Sequence, residues 1–367
     1  MKVKALVARG PESPFEYEEL KMDDPQADEI LVKIAGVGLC HTDLVIKSAG
    51  PEVYPFPAVL GHEGSGIVEK VGSGVTKVAP GDRVAITFRS CGECDRCGTG
   101  DAAYCRTFPM INFTGMRADG SKAYKNGDEE VAGNFFGQSS FGTHALTYER
   151  NVVKVPADIP LELVGPLGCG VQTGVGGVVR ALNAEAGSSI LILGGGAVGL
   201  SAVMGAKLQE CGTIIVLEPH EARRAMALEL GATHVIDPTE SQALAEAVRA
   251  IVPVGVDYAL DTTGIPAVLK DAMGCLGSKA VFGIIGVAPP GTPVPGEVGD
   301  LITFGYTIQG IIEGDSDPDE FIPEMMEHYR AGRMPFDKMI KTYPLTEINQ
   351  AVADQAAGKC IKVVLVP

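Results

Sequence analysis

The densest chemistry in this 367-residue chain lies in two places. In "CGECDRCGTGDAAYC", Cys91, Cys94, Cys97 and Cys105 follow a C-x2-C-x2-C-x7-C spacing. Four thiolates so close together suit a tetrahedral zinc whose coordination they complete, so the spacing predicts a closed, structural metal; an iron–sulfur cluster is the alternative that the same residues allow. In "VGLCHTDL", a thiol, an imidazole, a hydroxyl and a carboxylate occupy the consecutive positions Cys40, His41, Thr42 and Asp43. Such crowding fits either a reactive cysteine beside a base or part of a metal site with partners elsewhere. Two distant segments offer those partners: His62 and Glu63 in "LGHEGSGIVEKVGSGV", and Cys169 in "GPLGCGVQTG". Two thiols and an imidazole would leave a zinc with one open position, as a catalytic metal requires. Spacing by itself does not join the three, because a single cysteine or histidine is usually an ordinary interior residue.

A third motif is Gly-rich. Gly194, Gly196 and Gly199 form GxGxxG in "ILILGGGAVGL", after strand-like "SSILIL" and before helix-forming "AVGLSAVMGAKL". The first glycine permits the tight turn, the second lets a pyrophosphate approach the backbone, and the third lets helix and strand pack closely, with the helix N-terminus facing the phosphates. Glu218, which ends "TIIVLE", is placed to accept hydrogen bonds from ribose hydroxyls. A 2′-phosphate would meet like charge there, so the expected coenzyme is NAD rather than NADP. Arg223 and Arg224 begin the next helical stretch, where they could swing toward a phosphate; Arg223 is equally placed to lie over the adenosine ribose beside Glu218, and a place on the helix surface is the commoner explanation.

The elements that must position these residues fall into two patterns, changing near residue 170. Before it, short runs such as "EILVKIAGVG", "SGIVEKVG", "DRVAITF" and "NVVKVP" are separated by Gly, Pro and Asp turns, which predicts a mostly β domain; "NGDEEVAG" reads as a solvated acidic loop. From about Ser188 to Glu313, apolar runs "ILIL", "IIVL", "HVI", "YAL" and "AVFGIIG" alternate with helix-length segments, which predicts a parallel sheet with helices on its faces. The tail holds one helical stretch, "EFIPEMMEHYRAG", and a strand, "KCIKVVLVP", without a sheet of its own, so it is expected to return to the first domain.

Composition narrows the partners. The chain is 46% hydrophobic and 21% charged, values of an ordinary globular protein, and its length calls for two cores. A net charge of −16 argues against nucleic acid and anionic membranes, whose phosphates require clustered Lys and Arg. The uncharged run "LVGPLGCGVQTGVGGVV" carries six glycines, Pro166 and Gln172, which argues against a membrane span. "MKVKALVARG" lacks the apolar core and cleavage site of a signal peptide, so a cytoplasmic location is expected; there the nine cysteines stay reduced and their clusters point to metal or catalysis. Cys211, Cys275 and Cys360 sit apart from any such cluster.

Taken together, the motifs resemble the zinc-dependent medium-chain alcohol dehydrogenases over essentially the whole chain. "GHEGSGIVEKVGSGV" matches that family's zinc signature and the four-cysteine loop has its spacing; "CHTDL", "PAVLGHEGSGI", "QSSFGTHAL", "VGPLGCGVQTG" and "LGATHVI" are most similar to the aryl-alcohol (benzyl alcohol) dehydrogenases. The resemblance implies an α/β chain, with a mostly β GroES-like catalytic domain at 1–170 carrying both zinc sites, a Rossmann doubly wound parallel sheet at 171–313, and a segment 314–367 returning to the catalytic domain. It implies Cys40, His62 and Cys169 as catalytic zinc ligands, Glu63 as an occasional substitute, Asp43 orienting His62, and Thr42 taking the alcohol proton. His41 and Lys362 would lie near the coenzyme pyrophosphate and Thr173 near the nicotinamide. Where some relatives continue the proton relay through a histidine, this chain has Val45.

The implied activity is reversible oxidation of a primary aryl alcohol to its aldehyde, with NAD, two zinc ions per chain, and assembly as a homodimer or homotetramer. Dehydrogenases of aliphatic or allylic, terpenoid primary alcohols are the nearest alternative. A zinc-free quinone reductase and a coenzyme-binding sensor share the fold, but neither has a use for Cys40, His62 and Cys169 together.

Overall fold

The computed structural model describes residues 1–240 and 243–367. They divide into two compact units: Met1–Cys169 with Asp317–Glu327 and Asp337–Pro367, and Gly170–Ser316 with His328–Phe336.

The first unit is built on two sheets. The larger has seven strands: Val152–Lys154, Arg83–Ile86, Gly64–Val71, Glu29–Leu39, Lys362–Val366 and Ile340–Pro344 in that order, with His144–Tyr148 also pairing to Glu29–Leu39. Its centre is the long strand Glu29–Leu39, rich in β-branched residues and buried along most of its length, as befits a strand covered on both faces. The C-terminal strand joins here: Val363–Leu365 pair antiparallel with Val37–Leu39. The smaller sheet orders Ala58–Val59, Lys2–Ala8, Phe15–Met22, Tyr124–Asn126 and Glu129–Val131. Its last two strands are the segment expected to be an acidic loop. They form a hairpin whose two-residue turn is Gly127–Asp128, with Gly127 at φ +60°; glycine at the first central position suits a tight hairpin turn and outweighs the polar composition around it. Tyr124 and Val131, 2% and 0% exposed, anchor it in the core.

The second unit has the expected parallel sheet. Its six strands run His234–Ile236, Thr213–Leu217, Ser189–Leu193, Val256–Asp261, Leu276–Ile284 and Thr307–Gly310, with every pairing parallel. Chain order 3-2-1-4-5-6 is that of the dinucleotide-binding doubly wound sheet. The strand Ser189–Leu193 is buried throughout, in keeping with the unbroken apolar run "SILIL". Glycines in the uncharged run serve close packing. A Cβ on Gly174 would stand 2.1 Å from the Val198 carbonyl oxygen, so only glycine lets the helix Gly170–Gly176 approach the helix Ala197–Leu208. Among the described residues no helix is long and apolar enough to cross a membrane.

Candidate active site and metal centres

Cys91, Cys94, Cys97 and Cys105 meet in one surface lobe, their sulfurs within 4.8 Å of one another. Sγ of Cys97 lies 3.9 Å from Sγ of Cys91 and 3.6 Å from Sγ of Cys94. A tetrahedron of zinc–sulfur bonds of about 2.3 Å has edges of about 3.8 Å, so the four thiols already stand at coordinating separation. Main-chain N–H groups of Cys91, Cys94 and Arg106 donate to the sulfurs of Cys105, Cys91 and Cys94, which favours thiolate. The Arg106 amide draws the Cys94 thiol down to about 6, while burial pushes Cys97 up to about 12. All four carry negative charge together only when a cation lies among them. The donor set fits zinc.

The second centre is assembled from three parts of the first unit. Strand Glu29–Leu39 ends at Cys40, which starts the helix His41–Ala49. His62 and Glu63 come from the turn before Gly64–Val71, and Cys169 follows the short helix Gly165–Gly168. One ligand atom from each of Cys40, His62, Glu63 and Cys169 lies within 4.8 Å of the other three. Asp43 is the organiser. Its Oδ1 is 2.9 Å from Nδ1 of His62 and accepts from the Gly61 amide, and its Oδ2 accepts from the Cys40 amide. One buried carboxylate thereby ties two ligand segments together and directs Nε2 of His62 inward. That Nε2 is buried and has no hydrogen-bond partner among the described residues, a costly arrangement in an ordinary core and the expected one for a metal ligand. The cluster fits a zinc ion with three protein ligands and Glu63 at its side.

Electrostatics support the fit. A bond from Cys169 pulls the buried Cys40 thiol well below its ordinary range, assisted by His62. Burial opposes charge on His62, but Asp43 and Cys40 outweigh it and raise its pKa well above the usual value. Burial raises the Glu63 carboxyl even though Nζ of Lys362 lies 2.5 Å from its Oε2. Glycine makes room for this pair, since a Cβ on Gly38 would fall 1.8 Å from Oε2 of Glu63. The Lys362 side chain is 2% exposed, paired with Glu63 and bonded to the Leu39 carbonyl. A buried ammonium needs a buried anion, and Glu63 is the one in contact.

In the second unit, Gly194 has φ +99° at the tight turn and its amide donates to the Leu217 carbonyl. A Cβ on Gly199 would sit 1.8 Å from the Gly194 carbonyl oxygen, whereas at Gly196, the N-cap of the helix Ala197–Leu208, it would meet no atom of the described residues within 4 Å. One glycine is demanded by packing and the other leaves a cradle at the helix N-terminus, as a pyrophosphate site requires. Glu218 accepts from the amides of Gly195 and His220, which fixes its carboxylate beside that turn. Arg224 is committed elsewhere: its guanidinium bonds the carbonyls of Glu218 and Pro219 and pairs with Asp237 at 2.9 Å.

Comparison with known proteins agrees. Residues 26–157 match the family described as alcohol dehydrogenase GroES-like domain, and residues 197–330 the family described as zinc-binding dehydrogenase. The chain is 46% identical over 364 residues to geraniol dehydrogenase of Castellaniella defragrans, covering 99% of this chain and 97% of that protein. The chain belongs to the zinc-dependent alcohol dehydrogenases. Its fold superposes on benzyl alcohol dehydrogenase from Acinetobacter calcoaceticus with a TM-score of 0.95 at 42% identity, covering 100% of this chain and 99% of that one. An alcohol dehydrogenase zinc-binding domain protein from Burkholderia ambifaria gives 0.97 at 46% identity, with the same coverage.

The dehydrogenase places its remaining candidates unevenly. Thr42, half-buried, has its hydroxyl 3.8 Å from Sγ of Cys40, and His41 is exposed at the start of the same helix. Thr173 is buried in the second unit, its hydroxyl 3.5 Å from Oε2 of Glu313. Sequence reasoning did not single out Gln138. Its amide donates to the His62 carbonyl and accepts from the Gly64 amide, gripping both sides of the ligand turn. It also missed the aromatic wall: Phe136 stacks on the His62 ring at 4.5 Å and Phe135 meets it edge-on at 5.4 Å. The signal was present in "NFFGQSS", where paired phenylalanines precede a buried amide, but nothing local says which ring such a pair will face.

Proposed function

We propose that this dehydrogenase oxidises a primary aryl alcohol of the benzyl type to its aldehyde with NAD as hydride acceptor, and catalyses the reverse reduction. The aromatic wall carries the reading. Phe113, half-buried, meets Phe136 edge-on at 5.1 Å, and Phe135 and Phe136 reach the His62 imidazole. A flat apolar alcohol whose oxygen is held at the cluster would lie against the half-buried ring of Phe113, which Phe135 and Phe136 back, and gain aromatic contacts that a short aliphatic chain lacks. The 42% identity to a benzyl alcohol dehydrogenase supports the same class.

In this reading Cys40, Cys169 and Nε2 of His62 hold the catalytic zinc, and Cys91, Cys94, Cys97 and Cys105 the structural one. The zinc supplies a Lewis acid that lowers the pKa of the alcohol, and the nicotinamide supplies the hydride acceptor. Thr42 takes the hydroxyl proton. Asp43 keeps His62 in the tautomer that leaves Nε2 free, and Glu63, its charge balanced by Lys362, stands by as a substitute ligand. For each turnover one alcohol and one NAD give one aldehyde, one NADH and one proton. Val45 carries no group that could relay the proton onward from Thr42; bound coenzyme would supply ribose hydroxyls for its exit to water. Glu218 would accept hydrogen bonds from ribose hydroxyls, with Arg223 over the adenosine end, Thr173 toward the nicotinamide, and His41 and Lys362 toward the pyrophosphate.

The similarity to a geraniol dehydrogenase supports a second reading, an allylic terpenoid alcohol. Both classes place the reacting carbon beside a π system. An assay of coenzyme reduction over benzylic, allylic, straight-chain and secondary alcohols separates them: kcat/KM highest for benzyl alcohol upholds the aryl reading, and a higher value for geraniol, ethanol or a secondary alcohol overturns it. For assembly we propose a homodimer or homotetramer. Val294, Val298, Ile302 and Phe304 are 73%, 70%, 79% and 41% exposed, close in sequence to the edge strand Thr307–Gly310, and light scattering of the purified protein tests it.

A further inference from the structure

Asp43 holds the His62 imidazole along one line, through the 2.9 Å contact to Nδ1. A hydrogen bond tolerates some misalignment, so the ring can still rock about its Cβ–Cγ bond, which would swing Nε2 away from the two sulfurs. We infer that Phe136 removes this freedom: it is a positioning residue whose ring, stacked on the imidazole, sets the plane in which Nε2 meets the metal. The inference rests on the proposed role of His62 as a zinc ligand and goes beyond it.

The two rings lie 4.5 Å apart between centroids with 22° between their planes, and Phe135 closes on the imidazole edge-on at 88°. Phe136 is itself fixed by neighbours. Phe135 and Phe113 meet it at 82° and 83°, with centroids 5.0 and 5.1 Å away. Its backbone is left-handed, at φ +51° and ψ +31°, a conformation that bulky residues rarely adopt. Asn134 and Ser139 also have positive φ, at +61° and +53°.

Such a backbone persists only where its surroundings over-determine it. Here Nδ2 of Asn151 donates to the Phe136 carbonyl, and the Ser139 hydroxyl accepts from the Phe135 amide and donates to the Val59 carbonyl. Two residues beyond Phe136, Gln138 bonds the main chain on both sides of Glu63. One strained segment therefore grips the backbone of the ligand turn and lays a flat ring against its imidazole. Space filling alone would ask for neither the parallel planes nor the unfavourable backbone.

The test compares Phe136→Leu, which keeps apolar bulk without a flat face, with Phe136→Gly, which suits the left-handed backbone and so protects folding. Full-length protein is loaded with zinc, or with cobalt in its place, and two quantities are read: the rate of metal release to a chromogenic chelator, and the visible bands of bound cobalt. The unmutated protein should hold two metals per chain. Both variants should release one of the two about tenfold faster or more, with altered cobalt bands, while release of the other is unchanged. Unmutated rates and bands in both variants would overturn the inference, as would Phe136→Leu behaving like the unmutated protein while Phe136→Gly does not, since bulk would then suffice. A single metal in the unmutated protein would instead remove the ligand assignment of His62 beneath it.

Discussion

Cys91, Cys94, Cys97 and Cys105 come from fifteen consecutive residues, whereas Cys40, His62 and Cys169 come from segments spread over 129 positions (169 − 40). The difference shows in what surrounds each set. The cysteine lobe is organised by its own backbone: amides within the loop point at the sulfurs, and three of the four cysteines are partly exposed. The assembled site depends on parts outside its ligands, namely the Asp43 carboxylate, the Gln138 amide, the Phe136 ring and the Glu63–Lys362 pair, all buried. A local site needs a metal to complete a loop. An assembled site needs the whole unit to hold its geometry, and can therefore keep one position open for substrate.

Removing a ligand from each site gives the sharpest contrast. Cys40→Ala should lower kcat by on the order of 10^3-fold or more, since several kcal/mol of charge stabilisation go with the metal, while coenzyme still binds; steady-state kinetics and a coenzyme titration check both halves. One zinc should remain by elemental analysis. Cys97→Ala should act in the opposite way. The lobe loses folding free energy of several kcal/mol and the melting temperature falls by on the order of 10 °C in calorimetry, with kcat per folded molecule little changed. Equal effects of the two substitutions on kcat would erase the distinction between the sites.

Asp43 probes how far the assembled site relies on its surroundings. Asp43→Ala strips acceptors from the amides of Cys40 and Gly61 as well as from His62, and should weaken zinc affinity at that site by about 10- to 100-fold in a competition assay. Zinc in the lobe should be unaffected. Affinity unchanged at both sites would mean that the ligand segments hold themselves.

The smallest expected effect belongs to the Gly-rich turn, an intermediate case in which a contiguous motif is completed by a residue 24 positions after Gly194. A 2′-phosphate beside Glu218 would meet at least about 1 kcal/mol of repulsion, so NAD should be preferred to NADP by about tenfold in kcat/KM. Glu218→Ser should narrow that ratio. Arg224, pinned to Asp237, is not expected to help; comparable use of the two coenzymes by the unmutated enzyme would remove Glu218 from the ribose.

These contrasts follow what could be read from the chain alone. The parallel sheet was legible because a strand buried on both faces is written as an unbroken apolar run, and "ILIL", "IIVL" and "YAL" are such runs. The cysteine lobe was legible because its sulfurs are neighbours in sequence and therefore in space. The hairpin at Gly127 was misread because acidic composition was given more weight than its Gly–Asp turn. The contact between Lys362 and Glu63 was not legible at all, because only the pairing of its strand with Val37–Leu39 carries Lys362 to that buried carboxylate.

Residue types, spacing and pattern were enough for the cysteine lobe, the parallel sheet and the Gly-rich turn, since each depends on contacts within a few residues or on a periodicity that water imposes on any chain; the dehydrogenase family was legible only as a resemblance of whole motifs. Spacing could not join Cys40, His62 and Cys169, which only the resemblance implied as one set; tertiary structure brings them together, lays Phe136 flat on the imidazole and pairs Lys362 with Glu63. Those contacts join residues far apart in the chain, and their geometry is set by packing across the sheets of the first unit, which no local stretch of sequence encodes.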